Sequence, residues 1–472
     1  MAYLPGARQA EGEAGISLLG EGMVTYNGDT IVALSTGSGR GALSIVRLSG
    51  PQSSAIAQAM LDPYPVAARY ATLAVARDPR DGQILDQLIA VRYDAPASYT
   101  GEAMLELSCH GGSATSRVIL GACFALGARA ALPGEFTRRA LLNGKMDLAQ
   151  AEALPDLIDA TSEPMRRIAL GAVGGGLSKH IADLRNAILH VEAVMAYSVD
   201  FPEEDDGEVP TSQVIEIAEQ VHAKVANLLN TAGRGMIIRE GAVVVFAGPP
   251  NVGKSSLFNS LLGQDRAIVT DIAGTTRDAI EHPCLIGDWP LRLVDTAGLR
   301  AAGDLIERLG IETSEKYLRD ADLAVVCSDG TGPGLDELVA RVRELGPAQI
   351  LAVQTKGDQR HAESRLGSAV RVSVVTGEGL DDLRKAISQA LEKRYGSVDY
   401  ESPTITQARH REMLQHSASE LQQFIRAMEN GTTPTIAGVH LRSAAVALEE
   451  IIGAVSVDDL LDELFSRFCV GK

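Results

Sequence analysis

Apolar positions along this chain follow two different periods. Between Asp29 and about Gly144, short β-rich runs alternate with turn residues: Ile31–Leu34, Leu43–Leu48, Tyr70–Ala76, Ile84–Tyr93 and Leu105–Cys109. Runs of this length, bounded by glycine, proline and aspartate as in the turn D-P-R-D-G, predict strands. Helices are expected after Pro51 and near Ser113–Leu126, so this stretch predicts a small α+β domain. Its Gly37-Ser38-Gly39-Arg40-Gly41 segment reads first as a plain flexible hairpin loop. From Lys145 to Gly233 the apolar residues return at helical spacing, and the same texture resumes at Pro403. The acidic run D-F-P-E-E-D-D-G-E at 200–208 interrupts it as a solvated loop. Between the two helical stretches lie apolar strands at Val243–Phe246, L-R-L-V (291–294) and I-L-A-V (350–353). The economical layout is an N-terminal extension (1–28), an α+β domain (29–144) and one discontinuous helical domain (145–240 and 399–472). A doubly wound α/β domain (241–398) is inserted into the helical one. Insertion at a surface loop with neighbouring ends is well tolerated.

The inserted domain carries the clearest chemistry. Val243 to Ser256 reads V-V-V-F-A-G-P-P-N-V-G-K-S-S, a strand, then G-x-x-x-x-G-K-S, then a helical run. This is the strand–loop–helix context of a phosphate-binding P-loop. Gly248 and Gly253 let backbone N–H groups turn inward around phosphate oxygens. Lys254 brings a cation to the β/γ-phosphates, the Ser255 hydroxyl suits Mg²⁺, and the helix N-terminus adds its positive end. The bland alternative is a glycine-rich turn before a helix.

Three further tetrads follow in order. Gly274-Thr275-Thr276-Arg277 offers a threonine hydroxyl for Mg²⁺, and Asp295-Thr296-Ala297-Gly298 follows a predicted strand. A strand-end aspartate can hold Mg²⁺ through water, and a glycine N–H can sense the γ-phosphate. After the strand at 350–353 comes Thr355-Lys356-Gly357-Asp358, whose carboxylate could accept N1–H and the N2 amino hydrogens of guanine. Four such pieces in this order predict a Ras-like GTPase domain of the doubly wound class. Leu299 stands where small GTPases carry the water-orienting glutamine. Glu307, on the same segment, is a candidate replacement; as a surface helix carboxylate it would do nothing of the kind.

Composition narrows the picture. Hydrophobic content of 45% and charged content of 22% are ordinary globular values, and no apolar run reaches the ~18 residues of a membrane span. The first 25 residues lack the regions of a secretory signal, and Met23 offers an alternative start. Cys109, Cys123, Cys284, Cys327 and Cys469 form no C-x-x-C pair, which fits a reducing cytoplasm. A net charge of −18 argues against broad electrostatic capture of nucleic acid but leaves a local basic patch open.

The longer motifs resemble those of a known family, the tRNA-modifying GTPases called MnmE or TrmE. They are G-R-G at 39–41, P-G-E-F-T-R-R-A at 133–140, L-N-G-K-M-D-L-A-Q-A-E-A at 142–153 and D-F-P-E-E at 200–204. Further matches are T-D-I-A-G-T-T-R-D at 270–278, D-T-A-G-L-R at 295–300 and F-S-R-F-C-V-G-K at 465–472. The resemblance implies an N-terminal tetrahydrofolate-binding domain that dimerises, a discontinuous helical domain and an inserted G domain. It implies a flavoprotein partner, MnmG (GidA), carrying FAD in a heterotetramer. Together they would modify C5 of the wobble uridine of certain tRNAs, with the one-carbon unit from 5,10-methylenetetrahydrofolate; formyl-tetrahydrofolate would be an analogue.

By the same resemblance the G domains dimerise transiently around K⁺, held by Asn251, Thr270, Ile272 and Thr275, while Ser255 and Thr276 hold Mg²⁺. The catalytic set would be Lys254, Asp295 and Glu307. The nucleotide site would run through Asn251, Val252, Gly253, Lys254, Ser255 and Ser256, then Thr270, Asp271, Ile272, Ala273, Gly274, Thr275 and Thr276. Asp295, Thr296, Ala297 and Gly298, Thr355, Lys356 and Asp358, and Ser373 with Val374 would complete it. Folate contacts fall on Arg47, Glu106, Lys145 and Lys472, and Cys469 matches the family's C-terminal cysteine. Two positions depart from the pattern: Thr355 replaces the usual asparagine of N-K-x-D, and Ser373-Val374 replaces S-A. Guanine selectivity is still expected, with weaker affinity. A different class, a GTP-switched assembly factor of ribosomes or RNA, shares the G-domain motifs but not the N-terminal domain or the F-C-V-G-K segment. A folate enzyme with an accessory GTPase is a third reading.

Overall fold

The computed structural model describes residues 28–37, 39–200, 210–264, 281–295, 315–331, 334–359, 369–397 and 402–453, with 461, 464–466, 468, 470 and 471. The chain divides into two compact units, Met1–Asp147 with Val455–Lys472, and Leu148–Ala454.

The first unit is a seven-stranded sheet with helices packed on both faces. Its strands are β1 (Ile31–Leu34), β2 (Leu43–Ser49), β3 (Leu61–Asp62), β4 (Thr72–Arg77), β5 (Ile84–Tyr93), β6 (Met104–His110) and β7 (Arg129–Ala130). The helices are α1 (Ser53–Met60), α2 (Ser113–Ala125) and α3 (Glu135–Leu142). Strand order is β3-β4-β5-β6-β2-β1-β7, antiparallel except for β1 with β7. Period two decides which residues are buried. Val46 and Leu48 of β2 and Leu105, Leu107 and Cys109 of β6 join Ile56, Met60 and Ile119 in the core. Arg47 and Glu106, of the opposite parity, face each other in register on the other side of the sheet.

Residues from near the other end of the sequence complete this unit. Phe465 and Phe468 are buried, with ring centroids 5.3 Å apart. Gly134 has φ +65°, and a Cβ there would lie 2.9 Å from the Phe465 ring, so only glycine lets the aromatic sit down. Val470 bridges Pro133, and Ser35 Oγ donates to the Gly471 carbonyl at 3.0 Å.

The second unit starts with α4 (Leu148–Ile158), α5 (Glu163–Val173), α6 (Gly176–Asp200), α7 (Thr211–Asn230) and α8 (Ala232–Glu240). Its sheet is β8 (Ala242–Ala247), β9 (Glu281–Ile286), β10 (Trp289–Asp295), β11 (Leu323–Ser328), β12 (Ile350–Gln354) and β13 (Val370–Arg371). With it run α9 (Lys254–Gln264), α10 (Leu335–Leu345) and α11 (Leu380–Tyr395), before α12 (Ala408–Glu429) and α13 (Pro434–Ile452). Buried positions on α6 (Leu177, Ile181, Leu184, Ile188, Val191, Met195) alternate steps of four and three. So do those on α7 (Val214, Ala218, Val221, Val225, Leu228) and α12 (His410, Leu414, Ser417, Leu421). That spacing makes one apolar stripe per helix, and α6, α7, α12 and α13 close into a bundle.

The sheet order is β13-β12-β11-β8-β10-β9, parallel except for the edge strand β9. β8 is flanked by β10 on one side and β11 on the other, so the direction of winding reverses there. The chain enters this sheet through α8 and leaves after α11, and the described residues of the two stems are fastened to each other. Arg234 donates to the Ser397 carbonyl at 2.6 Å and Ile405 N to Thr231 Oγ1 at 3.1 Å. A Cβ on Gly235 would come within 2.1 Å of the Ile405 carbonyl. Helix α4 holds both stems with two carboxylates one turn apart. Asp156 takes Arg239 (2.8 Å) and Gln407 (3.0 Å), and Glu152 takes both forks of Arg409 (2.9 and 2.8 Å) and His410 (2.6 Å).

Candidate functional site

Parallel strands end with their carboxyl groups on one edge, and loops leaving that edge at the reversal of winding form a crevice. The described nucleotide-site residues lie along that edge of the second unit, or on the first turn of α9. The loop from β8 to α9 has Gly248 at φ +143°, Asn251 at +62° and Gly253 at +95°. A Cβ at Gly248 would sit 2.2 Å from the Cys327 carbonyl, so the residue has to be glycine. Lys254 is 5% exposed, and its ammonium donates to the carbonyls of Gly248 (2.9 Å) and Pro249 (2.7 Å), folded back across the loop. Ser255 Oγ donates to Asp295 Oδ2 at 2.6 Å. That contact brings the first residue after the lysine to the end of the neighbouring strand β10, and joins two hard oxygen donors of the kind Mg²⁺ accepts. Asn251, Ser255 and Ser256 are exposed, while Val252 is buried.

On the other side of β8, the loop after β12 carries the base-reading candidates. Thr355 is buried, and its hydroxyl donates to the Val252 carbonyl of the P-loop. Lys356, at φ +53°, donates to Asp329 Oδ2 at 2.7 Å. Asp329 is buried at the end of β11; burial raises its pKa, but the bonds from Lys356 and Thr331 prevail and hold it at about 2. Asp358 is exposed and accepts from the buried Ser373 hydroxyl at 2.7 Å, which lowers its pKa. Ser373 is anchored by N–H donation to Glu378 O, and Val374 is 37% exposed beside it. Lys254, Ser255, Asp295, Thr355, Lys356, Asp358 and Ser373 are thus spread over neighbouring loops of one sheet edge. Thr270, Asp271, Ile272, Ala273, Gly274, Thr275, Thr276, Thr296, Ala297, Gly298, Leu299 and Glu307 lie outside the described residues, as does the acidic run from residue 201.

In the first unit, Arg47 and Glu106 form a two-point ion pair, Nε to Oε1 at 2.9 Å and Nη2 to Oε1 at 2.8 Å, with side chains 21% and 22% exposed. Tyr93 donates to Glu106 Oε2 at 3.2 Å. Burial and the Glu106 charge push the Tyr93 pKa up, keeping it a donor. The Arg47 guanidinium lies over the rings of Tyr99 (5.5 Å) and Phe136 (5.8 Å), and reaches the Gly471 carbonyl at 3.5 Å. Lys145 is tied instead to the Pro96 carbonyl at 3.0 Å, on the loop that supplies Tyr99. Lys472 and Cys469 lie outside the described residues.

Comparison with known proteins breaks at the same junction near Asp147. Residues 30–145 match a family model described as the GTP-binding protein TrmE N-terminus, and residues 148–469 one described as the MnmE helical domain. A Streptococcus pneumoniae (strain Hungary19A-6) protein named tRNA modification GTPase MnmE is 38% identical over 457 residues, 95% of this chain and 100% of its own length. Proteins of the same name from Aquifex aeolicus and Neisseria meningitidis serogroup C are 41% and 40% identical, over 94% of this chain and 100% and 99% of theirs. The chain belongs to the MnmE family.

Membership also covers motif residues that lie outside the two sites. Within P-G-E-F-T-R-R-A, Glu135 is fully buried and takes Arg129 at 2.8 and 2.6 Å and Arg139 at 2.9 Å. Arg139 also reaches Asp29 (2.6 Å) and Glu102 (3.1 Å). This part of the MnmE signature therefore builds a buried ionic lattice beneath β1 and β7, where removing one partner would strand a charge. In L-N-G-K-M-D-L-A-Q-A-E-A, Asn143 ties its helix end to the Thr100 carbonyl (2.8 Å), and Glu152 makes the stem clasp. Sequence reading missed Asp329, Ser35, Tyr93 and Tyr99. Tyr93 was recoverable in part, since it shares the parity of Val91, which pairs with Glu106; Asp329 carries no motif of its own.

Proposed function

We propose that this chain binds and hydrolyses GTP and couples that cycle to tRNA modification. In the finer reading, K⁺ activates it, and with the flavoprotein MnmG it modifies C5 of the wobble uridine of certain tRNAs using a methylenetetrahydrofolate carbon. One observation carries the nucleotide part. Lys254, the Ser255–Asp295 pair, Thr355 and the Asp358–Ser373 pair all gather at the carboxyl edge of one parallel sheet. Lys254 would neutralise phosphate charge, and Ser255, Asp295 and Thr276 would hold Mg²⁺, which supplies Lewis-acid charge stabilisation on the phosphates. Asp358, kept ionised by Ser373, would accept two hydrogen bonds from guanine. Glu307 would orient the attacking water in place of the glutamine that Leu299 displaces. Asn251, Thr270, Ile272 and Thr275 would hold K⁺ where an arginine finger otherwise acts.

The N-terminal reading is supported by a carboxylate held in fixed orientation by Arg47 and Tyr93 beside an aromatic floor. Glu106 suits the N–H groups of a pterin; Arg47, Lys145 and Lys472 suit the glutamate tail. GTP turnover in matched KCl and NaCl tests the ion: a large excess in KCl is expected, and equal rates would remove potassium from the account. Mass spectrometry of wobble uridines from a strain lacking this protein tests the wider role. Loss of the C5 modification is expected; unaltered tRNA would favour an assembly factor.

A further inference from the structure

Beside the Glu106 site, two loops are stitched together by arginines. Arg92 donates from Nη1 to the Tyr64 hydroxyl at 2.9 Å and from Nη2 to the Val66 carbonyl at 2.9 Å. Arg69 returns the tie, its backbone N–H donating to the Arg92 carbonyl at 2.7 Å. Arg69 holds φ +60°, a left-handed backbone that an L side chain adopts only against steric resistance. From there its guanidinium crosses to the second loop, where Nη2 donates to the Ala97 carbonyl at 2.8 Å. Lys145 donates to the Pro96 carbonyl at 3.0 Å. Pro96 and Ala97 are consecutive, so the two cationic groups stand within roughly 12 Å of each other. Both side chains are exposed, and among the described residues both are met by neutral carbonyls and by no carboxylate. Asp94, the acid of this loop, is taken by Arg92, Nε to Oδ1 at 3.4 Å.

A guanidinium has five N–H donors and an ammonium three, so each cation keeps most of its donors for a group outside the chain. Their field also reaches the carboxylate site. Burial and the Glu106 charge push the Tyr93 pKa up, while Arg47 and Arg69 both act against them. Glu106, Tyr93, Arg69 and Lys145 therefore mark out a surface that is anionic at one end and doubly cationic at the other. A folate has the matching polarity, with N–H donors on its pterin and carboxylates on its tail. Each γ-linked glutamate added to that tail brings one more negative charge. We infer that Arg69, with Lys145, binds the glutamate end of the folate, and that this site selects folates carrying a γ-linked glutamate chain over the monoglutamate. This rests on the reading of the Glu106 site as a folate site.

The test is calorimetry on the full-length chain with formyl-tetrahydropteroate, which lacks glutamate, formyl-tetrahydrofolate and its γ-linked triglutamate. Wild type should bind the triglutamate about tenfold more tightly than the monoglutamate, and added salt should shrink that ratio. Glycine suits the left-handed backbone at position 69, so Arg69→Gly removes the cation without straining the loop. It should bring the triglutamate to within about twofold of the monoglutamate and leave the pteroate at its wild-type affinity. Arg69→Lys, which keeps the charge, should retain a preference of about threefold or more. Glu106→Ala should instead weaken all three ligands alike. The inference is overturned if wild type binds the three with equal affinity, or if Arg69→Lys shows no preference. It is overturned too if Arg69→Gly weakens the pteroate as much as the triglutamate, which would make Arg69 a brace for the loop alone. A wild-type chain that binds GTP but none of the three ligands would sink the folate-site reading itself, and this inference with it.

Discussion

Around the P-loop, the groups that meet follow the ends of strands belonging to one sheet: Ser255 with Asp295, Thr355 with Val252, Asp358 with Ser373. In the N-terminal unit, Ser35 and Arg47 meet Gly471 across 436 and 424 positions. The clasp on α4 is stitched in the same long-range way, with Glu152 and Arg409 lying 257 positions apart. The first kind of site is supported by one sheet, whose strand order fixes where each loop emerges. The second kind depends on a distant segment finding its seat, and each seat is marked by a glycine or a buried ion pair. Local sites should fail all at once when the loop backbone is disturbed. Stitched sites should fail by steps.

The harshest test of that contrast is Gly248→Ala. The new Cβ would meet the Cys327 carbonyl at 2.2 Å, and the loop backbone would have to move. Nucleotide binding by titration should be lost entirely, while binding of a formyl-tetrahydrofolate analogue should stay as in wild type. Retained GTP affinity would show that the P-loop is less bound to its sheet than its geometry requires.

Next in size is an acid response from the clasp. Burial raises the Glu152 pKa, but the bonds from His410 and Arg409 outweigh it and hold the group at about 2. A depressed carboxyl stabilises the fold above its unfolded pKa of about 4.3 and gives that stability up as pH falls toward the folded value. On the order of 3 kcal/mol should therefore disappear between about pH 4.5 and 2. Urea denaturation followed by helical circular dichroism should show this slope in wild type and lack it in Glu152→Gln. Asp156, one turn along, is shifted the other way by burial, so it should not add to the loss.

Asp358→Asn should weaken guanosine nucleotides by about a hundredfold, because an amide cannot accept from both N1–H and N2–H. Unchanged affinity in a nucleotide titration would take base reading away from this loop.

The smallest expected effect belongs to the stitched N-terminal site. Gly471 has φ +97°, and a Cβ there would lie 2.3 Å from the Leu34 carbonyl. Gly471→Ala should unseat residues 470–471 and weaken the folate analogue by about tenfold, the loss of one or two contacts. GTP hydrolysis should hardly change. Analogue binding at wild-type strength by calorimetry would make the seated segment a bystander.

How much could be read in the sequence follows the same line. β1 and β5 begin and end where the alternation of apolar residues placed them, and β8 differs by one residue at each end. The P-loop was legible because its chemistry is confined to eight consecutive positions, Gly248 to Ser255. The spacing of Phe465 and Phe468 suits one packed helical face, but helical spacing carries no address for where that face sits. Family resemblance grouped Arg47 with Glu106, but periodicity alone could not pair them: period two places Arg47 on a face, and only the β2–β6 register puts Glu106 opposite it. Thr355 looked like a weakening of the guanine motif. Its bond to Val252 depends on the separation of two loops, which no local pattern encodes.

The Ser35–Gly471 bond also has a consequence in time. A ribosome adding roughly 5–20 residues per second needs on the order of 20–90 s to travel the 436 positions between them. The N-terminal sheet can bury its core long before that, since Val46, Leu48, Leu105 and Leu107 are all made early. Until residues 464–471 emerge, however, the young sheet must wait with the edge beside Pro133 and the floor beside Gly134 uncovered. A nascent chain at that stage presents a tailor-made seat for a matching peptide, and the neighbouring polysome supplies copies of one. Exchange of this segment between chains during synthesis is the error this architecture invites.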